Sequence, residues 1–203
     1  MGRKQSGIKE RILNSASRLF YERGYPLTAV QDIAEDAETN KTSFYQYYPS
    51  KEIIAKEYLK SFSRRHLSGL IKLMRKSKDP EDFIHRWIRL VKHNAVLMKS
   101  FNGCPLANFS SQIPDIELFG SQLQFHYKRW LKVLEIYLRI EINKKKLSSG
   151  MNSKKTAENI VTIYEGALIA WKISKNMNLL QNAEELLLRE LNPVSIKNNN
   201  LMS

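Results

Sequence analysis

Apolar residues recur at three- and four-residue spacing along most of the chain, the period of helices buried on one side. Ile8, Ile12, Ala16, Leu19 and Phe20 form the first such stripe, and Gly24 predicts its end. Thr28 followed by Gln31 reads as a capping box that opens a second helix, with Val30, Ile33, Ala34 and Ala37 facing inward. Asn40 predicts the cap of a short third helix ending near Tyr47. Pro49-Ser50 closes it, and Ser50 caps a long fourth helix from Lys51 to about residue 76. Asp79-Pro80-Glu81-Asp82 opens a fifth: a cap, a proline at the first position, then acids at the positive end of the dipole. That helix is expected to reach about residue 100. A sixth is bounded by Pro105 and Pro114, a seventh spans about 114–145, an eighth about 153–176 and a ninth about 183–191. No run alternates with a period of two, so the expectation is an all-α fold of about nine helices.

Composition narrows the class. The chain has 203 residues, 42% hydrophobic and 26% charged, which suits an ordinary packed core. No apolar run is long enough to span a bilayer, and the N-terminus lacks the apolar stretch of a secretion signal, so a cytoplasmic protein without a membrane partner is expected. The single cysteine, Cys104, excludes an intrachain disulfide and a cysteine-rich zinc site. The four histidines never stand four residues apart, and neither a glycine-rich phosphate loop nor a nucleophile elbow is present. No metal, no cofactor and no enzymatic activity are expected. The formal charge is +13, yet residues 1–51 hold 8 Lys/Arg against 6 Asp/Glu. Net charge therefore does not single out this segment. The signs within it are segregated, with Arg3, Lys4, Lys9, Arg11, Lys41 and Lys51 flanking Asp32, Glu35, Asp36 and Glu38.

Chemistry concentrates between Thr28 and Tyr48. Helix, three-residue turn (Glu38-Thr39-Asn40) and short helix match a helix-turn-helix, whose second helix enters the DNA major groove. NKTSFYQYY, residues 40–48, packs four aromatic rings among polar groups, and helical spacing sorts them. Phe44 and Tyr48 share a face and point inward. Lys41 can donate to guanine or phosphate and Gln46 can pair with adenine. Thr42, Ser43, Tyr45 and Tyr47 carry hydroxyls suited to phosphate or base edges. Thr28 and Lys51 stand at expected helix starts, where backbone N–H groups favour phosphate. Arg3 and Lys4 are expected to form a flexible basic arm.

The stretch TAVQDIAEDAETNKTSFYQYYPSKEIIAKEYL, residues 28–59, preceded by IKERILNSASRLFYERGY, resembles the TetR/AcrR family of bacterial transcriptional regulators over roughly the first 60 residues. The family usually has Gly where Glu38 stands, an aliphatic residue where Thr39 stands and often Gly where Thr42 stands. The resemblance implies a DNA-binding domain at residues 1–50, a ligand-binding and dimerisation domain at 51–197, and a tail, 198–203, expected to be disordered. It implies a homodimer on double-stranded operator DNA, acting as a repressor released by a small-molecule effector not yet known. Helices eight and nine are its expected dimer elements, through Ile160, Ile163, Tyr164, Ala167, Leu168, Trp171, Leu187 and Leu191. Rings on helices four to eight can line an apolar cavity, with His66, Trp87, Phe101, Phe125, Trp130 and Tyr164 as candidates.

FNGCPLANFSSQ, residues 101–112, is similar to a G-C-x-[L/I]-[G/A]-N motif in a subset of that family, some members of which sense electrophiles or oxidants through the cysteine. Cys104 precedes Pro105 at an expected helix start, where a thiolate is stabilised. Lys172 stands where that subset often carries a basic residue. A thiol-based electrophile or redox switch at Cys104 is therefore the alternative to reversible ligand binding.

Overall fold

A computed structural model describes residues 2–97, 101–113 and 116–192, with side chains from residue 7 and, in the last segment, from residue 118. All regular structure among the described residues is helical: α1 Gly2–Glu22, α2 Val30–Asp36, α3 Lys41–Tyr47, α4 Lys51–Lys76, α5 Pro80–Leu97, α6 Pro105–Gln112, α7 Ile116–Asn143, α8 Ser153–Ser174 and α9 Asn178–Leu191. The expected caps form at three helix starts. Asn40 Oδ1 accepts from Ser43 N at 2.8 Å, Ser50 Oγ from Ile53 N at 3.3 Å and Asp79 Oδ1 from Asp82 N at 2.8 Å. The expected disordered tail lies outside the described residues.

Three expectations about the N-terminal region need correction. Residues 3 and 4 belong to α1 rather than to an arm. α2 starts at Val30, because the Asp32 carboxylate reaches back to Ala29 N at 2.9 Å and supplies the cap. Thr28 is 0% exposed, and its hydroxyl donates to Gly24 O at 2.7 Å, so it closes the turn after α1 instead of facing DNA. α9 also begins earlier than expected, at Asn178.

The chain divides into two compact units, Met1–Gly69 with Met98–Trp130, and Leu70–Leu97 with Leu131–Ser203. In the first, Ile12, Ala16, Leu19 and Phe20 of α1 meet Ile33 of α2, Phe44 of α3 and Ile54, Tyr58 and Leu59 of α4. Burial of these side chains on the order of 2 kcal/mol each is what holds two seven-residue helices that would not persist alone. Arg18 fastens the outside, pairing with Glu22 at 2.9 Å and with Asp36 of α2. Arg11 Nε donates to Ala37 O at 3.1 Å. In the second unit α9 packs on α5 and α8. Trp87 and Tyr164 stack there with centroids 4.4 Å apart.

The turn between α2 and α3 is a Schellman motif. Thr39 N bonds to Ala34 O at 2.9 Å and Glu38 N to Glu35 O at 3.0 Å, with Glu38 at φ 51°. A β-carbon in that left-handed conformation costs about 1 kcal/mol. Replacing Glu38 with Gly is therefore expected to stabilise the chain by roughly 1 kcal/mol, read as a higher urea midpoint at constant slope. A lower midpoint would show that the Glu38 side chain contributes more than its backbone conformation costs.

Candidate functional site

α3 is amphipathic in the way its spacing implied. Phe44 is fully buried and Tyr48 nearly so, with their rings 6.0 Å apart. Tyr48 also donates its hydroxyl to Lys9 O at 3.4 Å, tying α3 to α1. Lys41, Thr42, Tyr45 and Gln46 are exposed and recur at one helical face, with Tyr45 49% exposed. Ser43 is half-buried, and its backbone N–H is held by Asn40. Tyr47, expected among the outward groups, is only half exposed and packs against the core cluster. Lys51 is half-buried with its ammonium 4.4 Å from the Tyr25 ring centroid, and burial lowers its pKa. Its ammonium is therefore anchored rather than loose. Beside it Tyr25 donates to Glu52 Oε1 at 3.3 Å; burial first, then that carboxylate, pushes the phenol pKa up to about 12.

The same unit holds a small cavity. Phe62, Ser63, His66 and Leu67 of α4 line it, with Cys104 and Leu106 at the start of α6 and His126 and Trp130 of α7. Its volume of about 10 Å³ has room for roughly one water. No lining side chain is an acid, a lysine or an arginine. His66 stacks on Phe62 with planes 8° apart, and Trp130 meets it edge-on at 4.7 Å. Burial pushes the His66 pKa down to about 4. His126 is 4% exposed, and neither ring nitrogen has a hydrogen-bond partner among the described residues. Burial and, less strongly, the charge of Arg129 lower its pKa too. Cys104 is 6% exposed at the N-cap of α6.

Of the sensor candidates, His66, Cys104 and Trp130 meet at this cavity. Trp87 and Tyr164 do not; they are core rings of the second unit. Phe125 points outward under Arg129, whose guanidinium lies 5.6 Å from its ring. Phe101 is half-buried in the loop before α6 without lining the cavity, and Lys172 belongs to the second unit. His126 was missed as a site residue, because no local spacing marks it and its companions come from three separate helices.

The cavity wall is tied to α1 and the turn after it by hydrogen bonds. Tyr21 on α1 donates its hydroxyl to Gly103 O at 3.1 Å and accepts from Asn102 N at 2.8 Å. Asn102 Nδ2 reaches Tyr21 O at 3.3 Å. At the other end of α6, Gln112 Oε1 accepts from Tyr25 N at 3.3 Å. Gly24 makes room for that contact: with φ 91°, a β-carbon there would lie 2.6 Å from Gln112 Oε1.

The dimer candidates also sort differently from expectation. Ile160, Tyr164, Leu168, Trp171, Leu187 and Leu191 are buried within the chain, and Ile163 and Ala167 are half-buried. Among the residues α8 leaves outward are Thr162, Gly166, Ile169 and Ile173, the last 80% exposed, and α9 leaves Leu186 outward. α8 is apolar on two sides, and the pattern did not say which side the chain itself covers.

The buried histidines give a stability signature. His66 titrates near 6.5 unfolded and about 4 folded, so between those values the unfolded chain binds the proton first. Its contribution is complete above about pH 6.5 and is lost as pH falls toward 4. Thermal melts followed by circular dichroism are expected to show midpoints falling across that window. His66→Phe, which keeps the stacking, is expected to flatten the fall; an unchanged pH profile would remove His66 as its source.

Comparison with known proteins agrees with this geometry. The family model for bacterial regulatory proteins of the tetR family matches residues 12–58. An HTH-type transcriptional regulator in the lacX 3′ region of Lactococcus lactis subsp. lactis is 26% identical over 88% of this chain and 90% of its own length. The HTH-type transcriptional repressor DhaR of Mycobacterium sp. strain GP1 is 24% identical over 83% of this chain and 84% of its own. The crystal structure of a TetR-family regulator from Cytophaga hutchinsonii superposes with a TM-score of 0.82, covering 98% of this chain and 100% of that one at 19% identity. No helix among the described residues is long and apolar enough to cross a membrane. The capped and anchored α3, the turn before it and these likenesses converge: the chain is a TetR-family transcriptional regulator.

Proposed function

We propose that the chain is a homodimeric repressor that binds a two-fold operator through α3 and is released by a small molecule. The observation that carries DNA reading is the exposed quartet Lys41, Thr42, Tyr45 and Gln46 on a helix pinned by Phe44 and Tyr48. A rigid short helix with one cation, one amide and two hydroxyls outward suits base edges and phosphates together. The repressor DhaR, similar over most of its length, supports the sign of the regulation. Reading DNA falls to residues 1–50, and sensing and pairing to the helices beyond.

Pairing is assigned to the outward stripe of α8 and α9. Ile169 and Ile173 stand four apart on one exposed face of α8, Leu186 is exposed on α9, and Gly166 leaves space for close backbone approach. A two-fold interface repeats each of these contacts, so a short strip counts twice. Release is assigned to the cavity at His66, Cys104, His126 and Trp130, since Tyr21 and Tyr25 link its α6 wall to α1. The burial of Cys104 supports non-covalent occupancy over a thiol switch, because reactive thiols are partly exposed.

Lys41→Ala is expected to weaken operator binding about tenfold in a salt-matched gel shift and to lower the salt slope by about 1. Tyr45→Phe is expected to weaken it severalfold, with the melting curve unchanged. Unaltered affinity in both would remove this face as the reading surface. Ile173→Glu is expected to give a monomer by light scattering at micromolar concentration, with helicity retained. A dimer in that variant would place the interface elsewhere.

A further inference from the structure

The cavity in the first unit has a chemistry that selects its occupant. Its walls are mostly rings and aliphatic groups, Phe62 stacked on His66, Trp130 edge-on to His66, and Leu67 and Leu106, with the Ser63 hydroxyl and the Cys104 thiol among them. Despite the +13 formal charge of the chain, no acid, lysine or arginine lines it. An ionised ligand would have to leave its hydration with no opposite charge waiting, which is prohibitive in so small and enclosed a space. An uncharged ligand meets no such cost.

One polar group is nonetheless left open there. His126 is almost wholly buried, and both ring nitrogens lack a partner among the described residues. A buried imidazole without hydrogen bonds is costly, a deficit that a suitable ligand removes. In the neutral ring one nitrogen accepts and the other donates. A hydroxyl satisfies either nitrogen, since it donates to the bare one and accepts from the protonated one. A carbonyl serves only the second, an ammonium only the first. Flat walls favour a flat body, which can stack or sit edge-on as the rings already do.

We propose that this cavity binds an uncharged aromatic molecule bearing a hydroxyl, a phenol in its simplest form, with the hydroxyl on His126 and the ring between Phe62, Trp130 and Leu106. The proposal rests on the reading of the chain as an effector-released regulator and names the effector's class. The cavity of about 10 Å³ is too small for a ring as it stands, so entry displaces the α6 wall. Leu106 and Cys104 lie on that wall, directly after Asn102 and Gly103, which hold Tyr21 of α1. Occupancy therefore acts first on the hydrogen bonds that anchor the DNA-reading helices.

The test uses the full chain and four probes at neutral pH: phenol, benzyl alcohol, benzoate and benzylamine. Calorimetry is expected to show saturable phenol and benzyl alcohol binding in the millimolar range or tighter, with benzoate and benzylammonium at least ~10-fold weaker. His126→Leu is expected to lose about tenfold for phenol. Because that variant can misfold, the native chain is also followed by imidazole NMR. Phenol is expected to shift the signals of His66 and His126 and to leave those of His85 and His93 in place. Absence of phenol binding, charged probes binding as well as phenol, unchanged affinity in a folded His126→Leu, or shifts confined to His85 and His93 would each overturn the proposal. A gel shift on the operator separates it from the function it rests on. If the chain binds no DNA while phenol still binds at His126, the regulator reading fails and the cavity assignment stands. If DNA binding holds and none of the four probes binds, the cavity assignment alone fails.

Discussion

Tyr25 follows Gly24 at the end of α1, and its ring is shared by the elements that build the first unit. Phe20 lies 5.5 Å away on α1, Phe109 5.2 Å away on α6 and Phe119 5.4 Å away on α7. Tyr58 of α4 closes the group against Phe20 and Phe109. Such ring contacts add about 1 kcal/mol each beyond area burial, and they are orientation-dependent. The cluster therefore sets angles as well as stability. α1 carries α2 and α3 through its own core face, so the direction of α3 is fixed by rings that also belong to α4, α6 and α7. Tyr25 is held at its polar edges as well, by Glu52 through the hydroxyl and by Gln112 through the backbone. Gly24 is required for this arrangement twice over, by its left-handed φ and by the approach of Gln112.

Much of this was legible in the sequence because it is local. Caps at Asn40, Ser50 and Asp79 need only a short side chain within three residues of a helix start, and all three form. The division of NKTSFYQYY into inward Phe44 and Tyr48 and outward Lys41, Thr42, Tyr45 and Gln46 follows from the helical repeat alone. Thr28 shows where local reasoning stops. Threonine three residues before glutamine satisfies the capping pattern, but Asp32 competes for the same backbone and Gly24 offers the Thr28 hydroxyl a buried carbonyl. Tyr47 was assigned outward by the same repeat, yet a helix of seven residues has edges that are neither face.

The less legible features depend on which of two apolar sides meets the rest of the chain. On α8, Leu168 and Trp171 are buried while Ile169 and Ile173 are not, although all four are equally apolar in the pattern. Only the position of α9 and its packing on α8 and α5 decides between them. The cavity poses the same problem in a sharper form. His66, Cys104 and His126 are separated by some forty and twenty residues of sequence, and nothing in their spacing brings α4, α6 and α7 together. The sequence singles out Cys104 because a motif surrounds it, and leaves out His126, which carries the unsatisfied hydrogen-bonding capacity.

The strength of the link between the cavity wall and α1 bears on the proposed release. Allosteric coupling between two ligands is typically 1–3 kcal/mol, a change of roughly 5- to 150-fold in affinity. Tyr21 makes three hydrogen bonds to Asn102 and Gly103, and Gln112 makes one to Tyr25. At a net contribution near 1 kcal/mol for each partly buried bond, two or three of them account for the whole of such a coupling. Phe109 of α6 also touches Tyr25 and Tyr58, so the ring cluster shares in any displacement of α6. In the proposed release, a ligand that displaces α6 acts on α1 through these bonds and rings, while Ile12, Ile33, Phe44 and Ile54 keep α1 to α4 packed on one another.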